Sequence, residues 1–396
     1  MRRRLKPKNW LVILIFLIIA WVVLALSRPL PALQPSYARL APVIVKNVSL
    51  AWPGSGSAAI GAAGYGVLAD SGSQQPAPVA SVAKIVTALA VLKQKPLALN
   101  QQGPIITFDT TDISYYQSYA SQGGSVAKVV AGEQISEYQA LQTMLLPSAN
   151  NIAESLARWA FGSPEAYVTY ANQFIKTLGM TQTTIADASG FSPQTLSTPK
   201  DLVNLGLAAM NNPVLAQIVG QSQADVPVAG TIKNTNWLLG SDGFVGIKTG
   251  NTDQAGGCYL FASDQTAGGQ KITLVGAVLD VPTLAGAVNG GKTLADSAKS
   301  GFINTTVVKA GQAVGFYKPP WGGSVQTVAQ KDISVLAWQG SKITPAVTLN
   351  NLSAPLSASA QAGGVSVISG QKNLSVPVII KQAIAKPSVF WRMVHL

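Results

Sequence analysis

The chain has one cysteine, Cys258, and one histidine, His395, next to the last residue. A single cysteine excludes an intrachain disulfide and a cysteine-based metal cluster. A single histidine at the extreme C-terminus argues against a Ser-His-Asp triad in the body of the fold and against a histidine-ligated zinc site. Any serine enzyme here needs another general base. Charge is also scarce. Charged residues make up 11% of the chain against 47% hydrophobic ones, which excludes global disorder and supplies a large core. What charge there is leans positive, 28 basic side chains against 16 acidic, for a net +12. Beyond the N-terminus the basic residues are scattered, with no stripe interleaved with aromatics. Nucleic acid is therefore not an expected partner, and attraction to an anionic envelope is a better use of the charge. No metal or cofactor is expected.

Length, at 396 residues, suits roughly two to three domains. Residues 1–9 carry five cations and read as a cytoplasmic tail. Residues 10–26 form an uncharged apolar run of 17 residues, about 25 Å as helix, at the short end of what spans a bilayer. A cleaved signal peptide competes with a transmembrane signal anchor. The length of the run favours the anchor, and Ala25-Leu26-Ser27 is only a passable cleavage site. Either way the basic end stays inside and the rest of the chain is exported. Residues 27–45, with four prolines, read as a linker.

Residues 46–304 read as an α+β domain with an antiparallel sheet flanked by helices. A strand pair is expected around the turn Pro53-Gly54-Ser55-Gly56, then a buried helix over 81–92. Helices follow over 136–146 and 150–161, broken at Pro147, then over 163–178, and another from Ser197. Three strands begin at about Val245, and an Ala-rich helix covers 284–303. Residues 305–386 lose the helical period and read as a small all-β sandwich. Residues 387–396 form a tail, either an interfacial foot or a strand that tucks back.

In Ser81-Val82-Ala83-Lys84 a hydroxyl and an amine stand three residues apart. On a helix the two share a face and can exchange a proton. A serine hydroxyl is a poor nucleophile until a base takes its proton, and without histidine a neutral lysine is the available base. Burial and a second cation, for which Lys248 is the candidate, both lower a lysine pKa. The same tetrapeptide recurs at Ser125-Val126-Ala127-Lys128, between Gly123-Gly124 and Gly132, where it reads as strand or loop with the side chains apart.

Three motifs occur in the order S-x-x-K at Ser81 to Lys84, S-x-N at Ser148 to Asn150, and K-T-G at Lys248 to Gly250. In this order they resemble the low-molecular-mass penicillin-binding proteins of the D-alanyl-D-alanine carboxypeptidase type, a serine peptidase family. LLPSANNIAESLA, TTIADASGF and GFVGIKTGNTDQAGGCYLFAS resemble further segments of that family. The resemblance implies a penicillin-binding, transpeptidase-like catalytic domain acting on peptidoglycan stem peptides that end in D-Ala-D-Ala, with β-lactams as inhibitors and the membrane as anchor. It implies Ser81 as nucleophile, Lys84 as base and Ser148 as proton relay. Asn150 would hold the substrate amide and help fix Lys84, and Lys248 and Thr249 would hold the terminal carboxylate. Gly250 would let substrate approach the strand closely, and the N–H groups of Ser81 and Asn251 would form the oxyanion hole. Ala83, Ala149 and Asn151 depart from the family's usual residues. A β-lactamase is one alternative, but class A enzymes use a Glu in an E-x-x-L-N segment after the S-x-N, which neither Glu154 nor Glu165 provides. A transpeptidase, an endopeptidase and a non-catalytic wall-binding protein remain as alternatives. Cys258 and His395 read as structural.

Overall fold

The computed structural model describes residues 7–395. It divides into two compact units, one spanning Lys46–Ile303 and the other combining the segment up to Val45 with the residues from Asn304 on. The first carries all three motifs.

Its centre is a five-stranded antiparallel sheet, in the order Phe244–Thr252, Gly256–Ala267, Gln270–Val281, Ser57–Ala62, Gly66–Ser71. Successive residues Tyr259, Leu260, Phe261 and Ala262 are all buried, so both faces are covered. Alternation along the strand separates the coverings. The helix Leu284–Ala298 lays Gly291 against Tyr259 and Phe261, whereas the helix Pro199–Asn211 lays Gly206 against Leu260, Ile247 and Val275. A Cβ at Gly206 would stand 2.5 Å from Val275 Cγ1, so the bare backbone lets helix and sheet approach.

On the second of these faces lies a cluster of helices around Lys84–Gln94, which is buried from Lys84 to Leu92. Serine and threonine caps start the surrounding helices. Ser136 forms a capping box with Gln139 for Glu137–Leu145, Ser163 caps Pro164–Thr177, and Thr198 caps Pro199–Asn211. Asn150–Phe161 completes the group. Two helices had no expectation from sequence, Thr110–Ser121 and Pro213–Val219.

Three local expectations are corrected. The turn of the first strand pair is not Pro53–Gly56. The strands are Ser57–Ala62 and Gly66–Ser71, closed by Tyr65 N donating to Ala62 O at 2.9 Å, with Gly64 and Gly66 at φ 79° and 75°. Pro53 instead packs beside Gly290 of the helix Leu284–Ala298. The segment 27–45 is not a free linker. Pro35–Tyr37 pairs with Ala313–Tyr317, and Val43–Ile44 pairs with Lys342–Ile343. Pro35 opens an edge strand, where a missing N–H costs nothing. The tail forms a helix, Val389–His395, in place of the tucked strand, with Trp391 edge-on to Trp321 and His395 stacked on Trp391.

The strands of the second unit fit the expected sandwich. Its main sheet runs Pro35–Tyr37, Ala313–Tyr317, Val325–Ala329, Lys372–Ile380, Gln361–Ser369, Ala346–Leu349. Two-stranded pairs, Phe302–Val308 with Ile333–Trp338 and Val43–Ile44 with Lys342–Ile343, accompany it. The helix Pro7–Ser27 precedes it, and Asn9–Ser27, with mean hydropathy 3.0, is long and apolar enough to cross a membrane. Of the expected basic tail, residues 1–6 lie outside the described residues.

Glu137 is fully buried at the start of its helix, and neither carboxyl oxygen has a hydrogen-bond partner among the described residues. Burial pushes its pKa up to about 7, against a weaker opposing pull from Lys95. A folded pKa above the unfolded one gives stability that is full below the ordinary glutamate range, about pH 4, and lost as pH rises through about 7. Glu137→Gln is expected to flatten this dependence. Thermal unfolding should show the variant gaining on the parent between pH 5 and pH 8; parallel curves would contradict it.

Candidate active site

Ser81 lies in a single 3-10 turn, Ala80–Ala83, that runs directly into the helix beginning at Lys84. The turn is strained at Ala80, whose φ is 46°, a region that costs a side-chain-bearing residue about 1–3 kcal/mol. Two glycines hold it. A Cβ on Gly190 would fall 1.9 Å from Ala80 O, and one on Gly250 would fall 3.0 Å from Val79 O and 3.1 Å from Ser81 N. The nucleophile turn is thus clamped between the loop at Gly190 and the strand Phe244–Thr252. The bare backbone of Gly250 lets the strand approach this turn.

Lys84 is 0% exposed, and its Nζ makes three contacts: Ser81 Oγ at 2.9 Å, Asn150 Oδ1 at 2.6 Å and Ser189 O at 2.8 Å. The carbonyl oxygens of Asn150 and Ser189 can only accept, so the amine donates to both. A neutral amine has two protons and one lone pair, which leaves the lone pair for the hydroxyl of Ser81. Burial first, and the charge of Lys248 second, hold the Lys84 pKa well below the ordinary lysine value, while Asp187 and Glu154 pull the other way. Lys248 is buried in the strand, donates to Thr249 O at 3.0 Å, and is pulled by burial to about 7.

The structure brings Ser81, Lys84 and Asn150 into direct contact. Ser81, Asn150 and Asn251 open onto a cavity of about 630 Å³, which Ser125, Phe191 and Asp253 also line. Thr249 is buried and shares a 2.7 Å hydrogen bond with Thr235. Ser148 is buried in the turn before the helix Asn150–Phe161 at φ 67°, a second strained position of the site. The repeated tetrapeptide at Ser125 to Lys128 is neither helix nor strand. Its loop is stitched to the S-x-N segment. Asn150 N donates to Ser125 O at 2.8 Å, and Asn151 exchanges two bonds with the backbone of Ala127, at 3.0 and 2.9 Å. Asn151, unusual by the resemblance, has this as its structural task. Cys258 is buried, and burial pushes its thiol up to about 12.

Sequence reasoning missed the support behind Lys84. The Ser189 hydroxyl is bound by Asp187 Oδ2 at 2.7 Å, and Asp187 also accepts from Phe191 N at 2.9 Å. Tyr119 donates to Glu154 Oε1 at 2.9 Å and stands edge-on to Phe191. Tyr119 belongs to the unexpected helix Thr110–Ser121, whose start is announced by the capping box of Asp109 and Asp112.

Asn150→Asp would place a carboxylate where Oδ1 now lies 2.6 Å from Nζ. The acid limb of Ser81 labelling by a fluorescent penicillin is then expected to move to higher pH by about one to three pH units. A limb that stays in place would show that the Lys84 proton does not govern labelling.

Known proteins place this geometry in context. Over 190 residues, 46% of this chain, it is 31% identical to the D-alanyl-D-alanine endopeptidase of Pseudomonas aeruginosa. That match covers 58% of the relative's length. Over 216 residues, 50% of this chain and 71% of the relative, it is 30% identical to a D-alanyl-D-alanine carboxypeptidase of Streptomyces sp. strain K15. The fold matches the crystal structure of penicillin binding protein 5 from Haemophilus influenzae with a TM-score of 0.60 at 20% identity, covering 86% of this chain and 100% of the other. Residues 56–283 match the model of the D-alanyl-D-alanine carboxypeptidase family, more than half of the 396 residues, and the chain belongs to that family.

Proposed function

We propose that the protein is a serine-type D-Ala-D-Ala carboxypeptidase that trims stem pentapeptides of peptidoglycan through an acyl-enzyme and is itself acylated by penicillin. The observation that carries the reading is the 2.9 Å contact of Lys84 Nζ with Ser81 Oγ, made by a buried amine whose pKa is held low. Ser81 Oγ adds to the carbonyl carbon of the penultimate D-alanine as Lys84 takes its proton. The N–H groups of Ser81 and Asn251 receive the oxyanion, each such donor worth roughly 10²–10³ in rate. Collapse of the adduct breaks the peptide bond, and Ser148 relays the proton from Lys84 to the departing D-alanine amine. Water, losing a proton to Lys84, then hydrolyses the ester and frees Ser81. Lys248 and Thr249 hold the terminal carboxylate, and Asn150 holds the substrate amide as well as Lys84. The helix Pro7–Ser27 anchors the chain in the cell membrane as a single pass, with the catalytic unit on the extracytoplasmic side.

A second reading is favoured by the relatives named D-alanyl-D-alanine endopeptidase, at 31% and 29% identity. In it the leaving amine belongs to a cross-linked peptide, and the residues keep their roles.

Purified residues 28–396 are expected to release free D-alanine from a stem pentapeptide. Ser81→Ala should lower the rate by at least about 10³-fold, while Ser125→Ala retains it. Efficient hydrolysis of penicillin without D-alanine release would point to a β-lactamase instead. Cleavage of a cross-linked dimer without D-alanine release would select the endopeptidase.

A further inference from the structure

Lys84 serves as a base only while neutral, so any negative charge behind it acts as a brake. Two carboxyl groups stand there, Asp187 and Glu154. They differ in how they are held. Asp187 is saturated by its own loop, accepting from Ser189 Oγ, Phe191 N and Thr195 Oγ1. Glu154 is only 7% exposed and accepts from one side chain, Tyr119, and from the backbone N–H of Ala188. Glu154 does not line the cavity onto which Ser81 opens. It lines a second cavity, of about 460 Å³, with Glu165, Asp187, Pro164 and Val168. Water therefore reaches this carboxyl by a route that substrate in the main cavity does not close.

We propose that Glu154 is a positioning residue that sets the working pH of Lys84 from behind, its carboxyl fixed by Tyr119 and equilibrated with solvent through the second cavity. The contacts form a continuous bracket. Lys84 Nζ donates to Ser189 O, Ser189 Oγ lies 3.4 Å from the Tyr119 hydroxyl, and that hydroxyl donates to Glu154. Facing Glu154 are Lys84 from its helix, and Tyr115 and Tyr119 from Thr110–Ser121. Tyr167 and Glu165 face it from Pro164–Thr177, and Asp187 from the following loop. Arg158, one turn along its own helix, is engaged by Asp109 and Asp112. Lys84 is thus the cation in this group that answers to Glu154. Burial raises the Glu154 pKa to about 7, so its charge changes near neutrality, where the enzyme would work. Below that pH the carboxyl is protonated and the brake is off. Above it the new charge favours the ammonium form of Lys84.

The inference rests on Ser81 and Lys84 acting as in the proposed function. The test is the pH dependence of acylation of the full-length chain by a fluorescent penicillin, in detergent, between pH 5 and 9. Glu154→Gln keeps the shape and an acceptor for Tyr119 but never ionises. Its acid limb is expected about half a pH unit lower where Glu154 is ionised, read as about threefold faster labelling at a fixed pH above about 7 on the limb. Tyr119→Phe removes a hydrogen bond that favours the carboxylate, and should move the limb the same way by less. This second variant answers the same question if the first fails to fold. A uniform loss of rate with the limb unmoved, or a limb moved upward, overturns the proposal, because a merely structural residue would produce the first. A labelled parent with unmoved variants overturns this inference alone. An unlabelled parent overturns it together with the proposed function.

Discussion

A lysine amine removed from water is the constraint on which this unit depends. An isolated ammonium in an apolar interior is costly, and the group responds by giving up its proton. Lys84 has partners that hold it in place, while burial and the charge of Lys248 hold its pKa well below the ordinary lysine value. Two carbonyl oxygens accept from its amine, Lys248 disfavours the charged form, and Ser81 Oγ lies 2.9 Å away. The surrounding architecture follows from that need. The helix that carries Lys84 is buried along its length, the S-x-N helix delivers one carbonyl, and the loop at Ser189 delivers the other.

The sheet plays a less obvious part. Its edge strand Phe244–Thr252 supplies Lys248, but it also presses Gly250 against the backbone of the nucleophile turn. The strain at Ala80 is held from two sides by backbone with no side chain between. Reactive geometry here is a matter of how closely chain segments approach, and the motif residues record only part of it.

Sequence was informative where chemistry and period coincide. The S-x-x-K pair was legible because Ser81 and Lys84 precede a long apolar run, and its copy at Ser125 was separable by the glycines around it. The buried helix, the capped helices after Ser136, Ser163 and Thr198, and the strands after Val245 were legible for the same reasons. The first hairpin turn was misplaced because Pro53-Gly54-Ser55-Gly56 has stronger local turn chemistry than Ala63-Gly64-Tyr65, and tertiary packing decided between them. The proline-rich segment at 27–45 hid its strands because pairing with Ala313–Tyr317 is not a local property. Tyr119 and Glu154 were invisible as site residues for a similar reason. Nothing in their own neighbourhoods says that they meet.

The nucleophile turn is completed by Gly190 and Gly250, and the strand holding Gly250 reaches Ser57–Ala62 only through Gly256–Ala267 and Gln270–Val281. Those contacts join the first and last parts of the unit, a high contact order that is costly to form early. A chain emerging in order, N-terminus first, therefore carries Ser81 and Lys84 long before it carries the strands that brace their turn. The contacts that complete the nucleophile turn therefore form only once the chain through Val281 is in place.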